Sequence, residues 1–203
     1  MPSQNSSEKE IPAARAPRRE RGKARVAALL AAGAAIIAEK GYDAATMTEV
    51  AAKAGASIGS LYQFFPTKPL LAEALHDELV TALIARLDGV KEDVAGFGAA
   101  KAMERVFAVL GEFLADQPAF AALADRRDID KQRKKETRAL LRGRLAELLS
   151  ASVPPVPMER AEAAAVIILH LVRAAVMLND PDEAGVRGPA LAEMHRMLAA
   201  YFA

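Results

Sequence analysis

The stretch that decides the fold is Thr46–Leu71, TMTEVAAKAGASIGSLYQFFPTKPLL. Thr46-Met47-Thr48-Glu49 has the form of a capping box. The threonine hydroxyl covers free N–H groups at a helix start, and the glutamate three residues on reaches back to it. The helix that follows spans Met47 to Ala54, and Gly55 stops it. Ser57 caps a second short helix from Ile58 to about Phe65, which Pro66 breaks. Thr67 caps the next helix, with Lys68 and Pro69 in its first turn and its end at about Leu87. Two short helices joined by a three- to four-residue turn containing glycine make a helix-turn-helix. In that geometry the first helix crosses the backbone of duplex DNA. The second lies in the major groove with its N-terminal residues at the base edges.

The residue types on that second helix fit the task. Ser57 and Ser60 offer short hydroxyls, and Gly59 leaves room for close approach. Ile58 lies between them. Tyr62 offers a phenol to a phosphate, and Gln63 can bond two atoms of an adenine. Lys68, at a helix N-terminus, can share a phosphate with free N–H groups. Thr46, at the start of the first short helix, completes this part of the expected DNA-binding set. Leu61 and Phe65 are spaced to face inward.

The run resembles the helix-turn-helix of TetR-family transcriptional regulators. The family's pattern has a capped threonine, Ala-x-x-Ala-Gly, Ser-x-Gly, Leu-Tyr-x-aromatic-Phe, then lysine and leucines. Thr46, Ala51, Ala54, Gly55, Ser57, Gly59, Leu61, Tyr62, Phe65, Lys68 and Leu71 stand in those places. The match covers residues 20–72. Two positions depart from it. Ala56 replaces the usual valine, and Phe64 stands where tyrosine or histidine is common, which removes a phosphate-bonding group. The resemblance implies a dimeric, ligand-responsive regulator, most simply a repressor that a small hydrophobic effector releases from a palindromic operator.

Upstream, Arg18 to Lys40 reads as a first helix. Val26, Leu29, Leu30, Gly33, Ile36 and Ile37 form its apolar face, and Gly41 ends it. Residues 1–17, with Pro2, Pro12, Pro17 and several serines, read as a disordered basic arm. Residues 1–68 carry ten Lys/Arg against six Asp/Glu, whereas the rest carries seventeen against twenty. A basic end on a near-neutral body points to a polyanionic partner or to a solubilising tail. Arg21 and Lys23 belong to the expected DNA-binding set on the first of these readings.

Downstream, helices are expected over Phe97–Ala115, Pro118–Arg127, Asp130–Ser150, Met158–Leu178 and Pro189–Phe202. The fold class is therefore all-α: a three-helix DNA-binding domain over 18–66, then a helical effector-binding and dimerisation domain over 67–203. The resemblance implies that the last two helices pair with those of a second copy. Ala161, Ala165, Ile168, Val172, Leu191, Met194 and Leu198 are the expected interface. It also implies an apolar effector pocket among the middle helices. Met103, Phe107, Leu110, Phe113, Leu145, Ile168, His170 and Met177 are its candidate liners, though the residue types favour plain core for each.

Composition closes other routes. The 203 residues hold no cysteine, so disulfides, thiolate metal sites and a cysteine nucleophile are excluded. Of the three histidines, His170 and His195 have no ligand partner one turn away. No nucleophile elbow, zinc-protease motif or phosphate loop occurs. No metal, no cofactor and no enzymatic activity are expected. No run reaches the roughly 18–20 apolar residues of a membrane span, so a soluble cytoplasmic protein without a membrane partner is expected. An all-helical small-molecule binder or enzyme with a merely structural helix-turn-helix is the competing reading, and activation competes with repression.

Overall fold

The structure, a computed structural model, describes residues 18–94, 96–124, 131–178 and 181–202. The expected arm at 1–17 lies outside them. Nine α-helices follow in order among the described residues. They are α1 (Arg18–Ala44), α2 (Met47–Lys53), α3 (Ile58–Phe64), α4 (Lys68–Asp93) and α5 (Ala99–Asp116), then α6 (Pro118–Ala124), α7 (Lys131–Ser150), α8 (Met158–Met177) and α9 (Arg187–Phe202). A 3-10 turn at Pro181–Glu183 precedes α9, and no strand occurs among the described residues.

Local chemistry sets the ends. Gly41 leaves the helical region at φ 79°, ψ 164°, so the regular run of α1 stops at Lys40, and Tyr42–Ala44 form a separate final turn. Only glycine takes that conformation without strain. Among the described residues, three expected bounds move by two residues or more, and the first is the start of α5, at Ala99 after the cap Gly98 rather than at Phe97. α4 runs on to Asp93 rather than to about Leu87, since Leu87 and Val90 keep its apolar face buried. α9 begins at Arg187 and takes Pro189 into its first turn, where a proline's missing N–H has no partner to lose.

The buried apolar residues form one cluster from Leu29 to Leu198. α1 contributes Leu29, Leu30, Ile36 and Ile37, the stripe expected from its spacing. α4 packs on α1, α5 and α7. α6 bridges α1 and α4. α8 lies along α7, and α9 lies on α5. α7 runs parallel to α4: Arg133 pairs with Asp77, and Arg144 reaches Asp88 at 3.3 Å. One long helix, α4, thus leaves the α1–α3 unit and enters the rest of the fold.

Candidate nucleic-acid interface

The start of α2 holds a tight polar cluster. Thr46 Oγ1 accepts the Glu49 N–H at 3.3 Å and donates to Glu49 Oε2 at 2.8 Å. The Thr46 N–H donates to the same oxygen at 3.0 Å. Lys40, at the end of the regular part of α1, donates to Glu49 Oε1 at 2.6 Å. The Lys40 hydrogen bond, then those from Thr46, hold the Glu49 carboxyl at about 2, well below the usual carboxylate value. In return the Lys40 ammonium is pushed up. The capping box expected from the sequence is present and is wired to α1.

α2 ends as its sequence requires. The Ala56 N–H reaches the Ala51 carbonyl at 2.9 Å, and the Gly55 N–H reaches Ala52 at 3.1 Å, with Gly55 at φ 60°. This is a Schellman close, for which a left-handed glycine is the favoured residue. Ser57 then starts α3 by accepting the Ser60 N–H at 3.2 Å, which leaves its own hydroxyl hydrogen free to donate. Met47, Val50 and Ala51 from α2 and Leu61 and Phe65 around α3 are buried. These anchors fix which side of α3 faces out.

The outward side carries Ser57, Ile58, Gly59, Tyr62, Gln63 and Phe64. Tyr62 is 48% exposed and Ile58 40%. Ser60 is half-buried. The expected contact residues of α3 are thus exposed, Ser60 in part, from the cap at Ser57 to Gln63 in the last turn. Phe64, set aside on its missing hydroxyl, is exposed beside them. Arg21 and Lys23 are exposed on α1, and Lys23 forms a surface pair with Glu20 at 3.1 Å.

Lys68 is the exception. Its ammonium donates to the Asp43 carbonyl at 3.1 Å and sits 4.3 Å from the centre of the Tyr42 ring. Tyr42 is buried. Lys68 thus ties the first turn of α4 to the end of α1, and a phosphate would have to share it with these two partners.

No sequence motif marks His76, yet it is the charged-type side chain buried deepest at this junction. It lies on the inner face of α4, its ring stacked on Phe120 of α6 at 6.3 Å, and Phe120 meets Phe113 of α5 edge-on at 5.3 Å. Nδ1 has no hydrogen-bond partner and stands 3.7 Å from Asp77. Burial pushes the imidazole's proton affinity down, against a smaller opposing pull from Asp77. Its signal was available in Ala72, Leu75, Leu79 and Val80, which flank it at helical spacing and are all buried.

Farther from α3, two sets of expected residues need correction. Ala161, Ala165, Ile168 and Leu198 are buried within the chain's own core, so they have no surface to offer a second copy. Val172, Leu191 and Met194 are half-buried. The apolar side chains that do reach solvent on these helices include Val166, Ile167 and Met177 of α8 and Met197 and Tyr201 of α9. Ile167 is 51% exposed and Met197 57%. Between α8 and α9 runs a cleft of about 140 Å³, lined by apolar side chains such as Ile167, Leu171, Met197 and Tyr201. Among the expected pocket liners, His170 and Met177 are exposed and cannot line an enclosed site in this conformation. Met103, Phe107, Leu110, Phe113, Leu145 and Ile168 are buried core, and of these only Ile168 reaches the cleft.

Among the described residues no group of three His, Asp or Glu side chains could hold a metal ion. No described helix is long and apolar enough to cross a membrane.

Residues 29–75 match the family model for bacterial regulatory proteins of the tetR family. Solved structures share the fold over most of the chain. A TetR-family transcriptional regulator from Streptomyces coelicolor is 24% identical, with 88% of this chain and 99% of that one covered and a TM-score of 0.63. A TetR transcriptional regulator from Legionella pneumophila is 17% identical over 87% and 96%, with a TM-score of 0.66. The transcriptional regulator FadR from Bacillus subtilis, in complex with stearoyl-CoA, is 19% identical over 82% and 95%, with a TM-score of 0.61. No curated protein matches the chain.

Proposed function

We propose, from the premise that residues 29–75 carry the DNA-binding domain of the tetR family on the full helical fold of such regulators, that this protein is a ligand-responsive repressor. It binds a palindromic operator as a homodimer and acts without enzymatic chemistry in the cytoplasm. The observation that carries this reading is the outward side of α3. Ser57, Ile58, Gly59, Tyr62 and Gln63 stand exposed on a seven-residue helix that buries only Leu61 of its own residues. Cap, glycine turn and buried anchors hold it in place, which is what a groove-reading helix needs.

The reading divides the chain near residue 66 into a DNA-binding part and an effector-binding, dimerising part. The exposed apolar sides of α8 and α9 pack against those of a second copy. That pairing sets two α3 helices about 34–36 Å apart, one turn of duplex. The effector is small and hydrophobic. The complex of FadR with stearoyl-CoA, whose acyl chain is apolar although its coenzyme A part is charged, supports an apolar binding region in a body of this shape. Its site opens among Met103, Phe107, Leu110, Phe113 and Leu145, which are buried in the present conformation. A ligand that favours the opened state shifts the population away from the DNA-competent one by its differential affinity for the two. α4 is the element that carries the change to α3.

The test is operator binding over a range of salt. Specific binding that weakens steeply with ionic strength, and is lost in Tyr62→Ala combined with Gln63→Ala, supports the reading. Binding indifferent to both would leave an all-helical ligand-binding protein. Titrating stearoyl-CoA and shorter acyl compounds into the DNA complex then tests release.

A further inference from the structure

The side chains that α3 presents suggest more than contact with DNA. The reading unit from Met47 to Phe65 holds a single cation, Lys53, which lies 4.0 Å from Glu39. α3 itself, IGSLYQF, holds none. Guanine is read in the major groove chiefly by Arg or Lys, which donate to O6 and N7 together. α3 cannot do this. What it offers instead is an amide at Gln63 and a partly exposed branched hydrocarbon at Ile58, the first residue of the helix.

Ile58 bears on this most directly. The first turn of a recognition helix is the part that meets base edges. Ile58, 40% exposed, keeps part of its hydrocarbon outside the chain's own packing, whose inward positions are filled by Leu61 and Phe65. Gly59, next to it, has no side chain to hold a base away, and a Cβ built there would meet nothing within 4 Å. In the major groove the apolar feature that a base pair presents is the thymine methyl group. An adenine presents the acceptor and donor that a glutamine amide matches.

We infer that α3 reads A·T pairs by hydrocarbon and amide chemistry: Ile58 packs on a thymine methyl in each half-site, Gln63 pairs with an adenine, and no guanine is read by a bidentate cation from this helix. The inference rests on the DNA-binding reading above and names what that site selects.

The full-length protein is first used to select sites from random duplex DNA. On the selected duplex each thymine is replaced in turn by deoxyuridine, which lacks only the methyl group. Each guanine is replaced by a deazaguanine lacking the Hoogsteen nitrogen. The expected result is a loss of about fourfold per half-site at one thymine, the value of one buried methyl group. That loss disappears in Ile58→Ala, which folds normally because the side chain is exposed, as its melting curve will show. Gln63→Ala relaxes the choice at an adenine in the same half-site. A flat uracil scan overturns the inference. So does a uracil penalty that persists in Ile58→Ala, or a deazaguanine penalty inside the half-site larger than the uracil one. Recovery of no sequence at all is a separate result, which removes the DNA-binding reading and this inference with it.

Discussion

Gly59 and Gly55 lie four residues apart and ask opposite things of their neighbours. Gly59 is helical, and open space surrounds the place where a Cβ would stand. Glycine inside a helix is worth about 1 kcal/mol less than alanine. Gly59→Ala should therefore raise the melting temperature while weakening operator binding, because the new methyl group stands on the DNA-facing side. A variant that gains stability and keeps full affinity would remove Gly59 from that surface. Gly55, at φ 60°, needs the left-handed region. Gly55→Ala should cost about 1–2 kcal/mol in urea unfolding. Glu49 supplies a pH dependence. Its carboxyl sits at about 2 in the fold, against an ordinary value of 4.5, so the unfolded chain takes up its proton first as acid is added. The stability it contributes is present above about pH 4.5 and is lost as pH falls toward 2. The wild-type advantage over Glu49→Gln in urea unfolding should shrink across that window.

Helix ends were legible in the sequence wherever a single residue decides them. Thr46, Ser57 and Thr67 cap through their own hydroxyls, and Gly41 and Gly55 turn left-handed, all by chemistry local to a few residues. Which side of a helix meets which neighbour was legible only where the pattern had one apolar side, as in α1 and α3. α8 is apolar nearly all round. Ala161, Ala165 and Ile168 go inward while Val166 and Ile167 go outward, and spacing alone does not say which stripe meets the chain's own core. Lys68 escaped for a different reason, since its partners Tyr42 and Asp43 lie more than twenty residues away. The junction of α4 and α6 gives a prediction at this scale. His76 is buried there as the neutral imidazole, below its ordinary 6.5, so the unfolded chain binds the proton more readily. Stability from this site is full above about pH 6.5 and falls as the pH drops below it. Asp77, Arg133 and Lys134 are the charged groups that bear on it. A plot of melting temperature against pH should lose part of its slope below neutrality in His76→Phe, and an unchanged slope would place the titration elsewhere.

At the scale of the whole molecule, the two apolar stripes of the C-terminal helices should separate under the same substitution. Ile167→Glu or Met197→Glu puts a charge on an exposed side chain, so the chain should stay folded and sediment as a monomer with weakened operator binding. Ala165→Glu puts it in the core and should unfold the protein, because a buried unpaired charge costs several kcal/mol. Sedimentation velocity with circular dichroism distinguishes the two. If Ile167→Glu remains dimeric, a different surface joins the copies. The length of α4 matters here as well. Its 26 residues make a rod of about 39 Å, with Lys68 fastened to the end of α1 and Asp77 and Asp88 fastened to α7. Pivoting such a rod about its distal end by roughly five degrees sweeps its tip through about 3.4 Å, the rise of one base-pair step. Two copies pivoting in opposite senses would put their reading heads out of phase with the double helix by about two steps, so a shift too small to alter the outline of the body is enough to make a bound site a mismatched one.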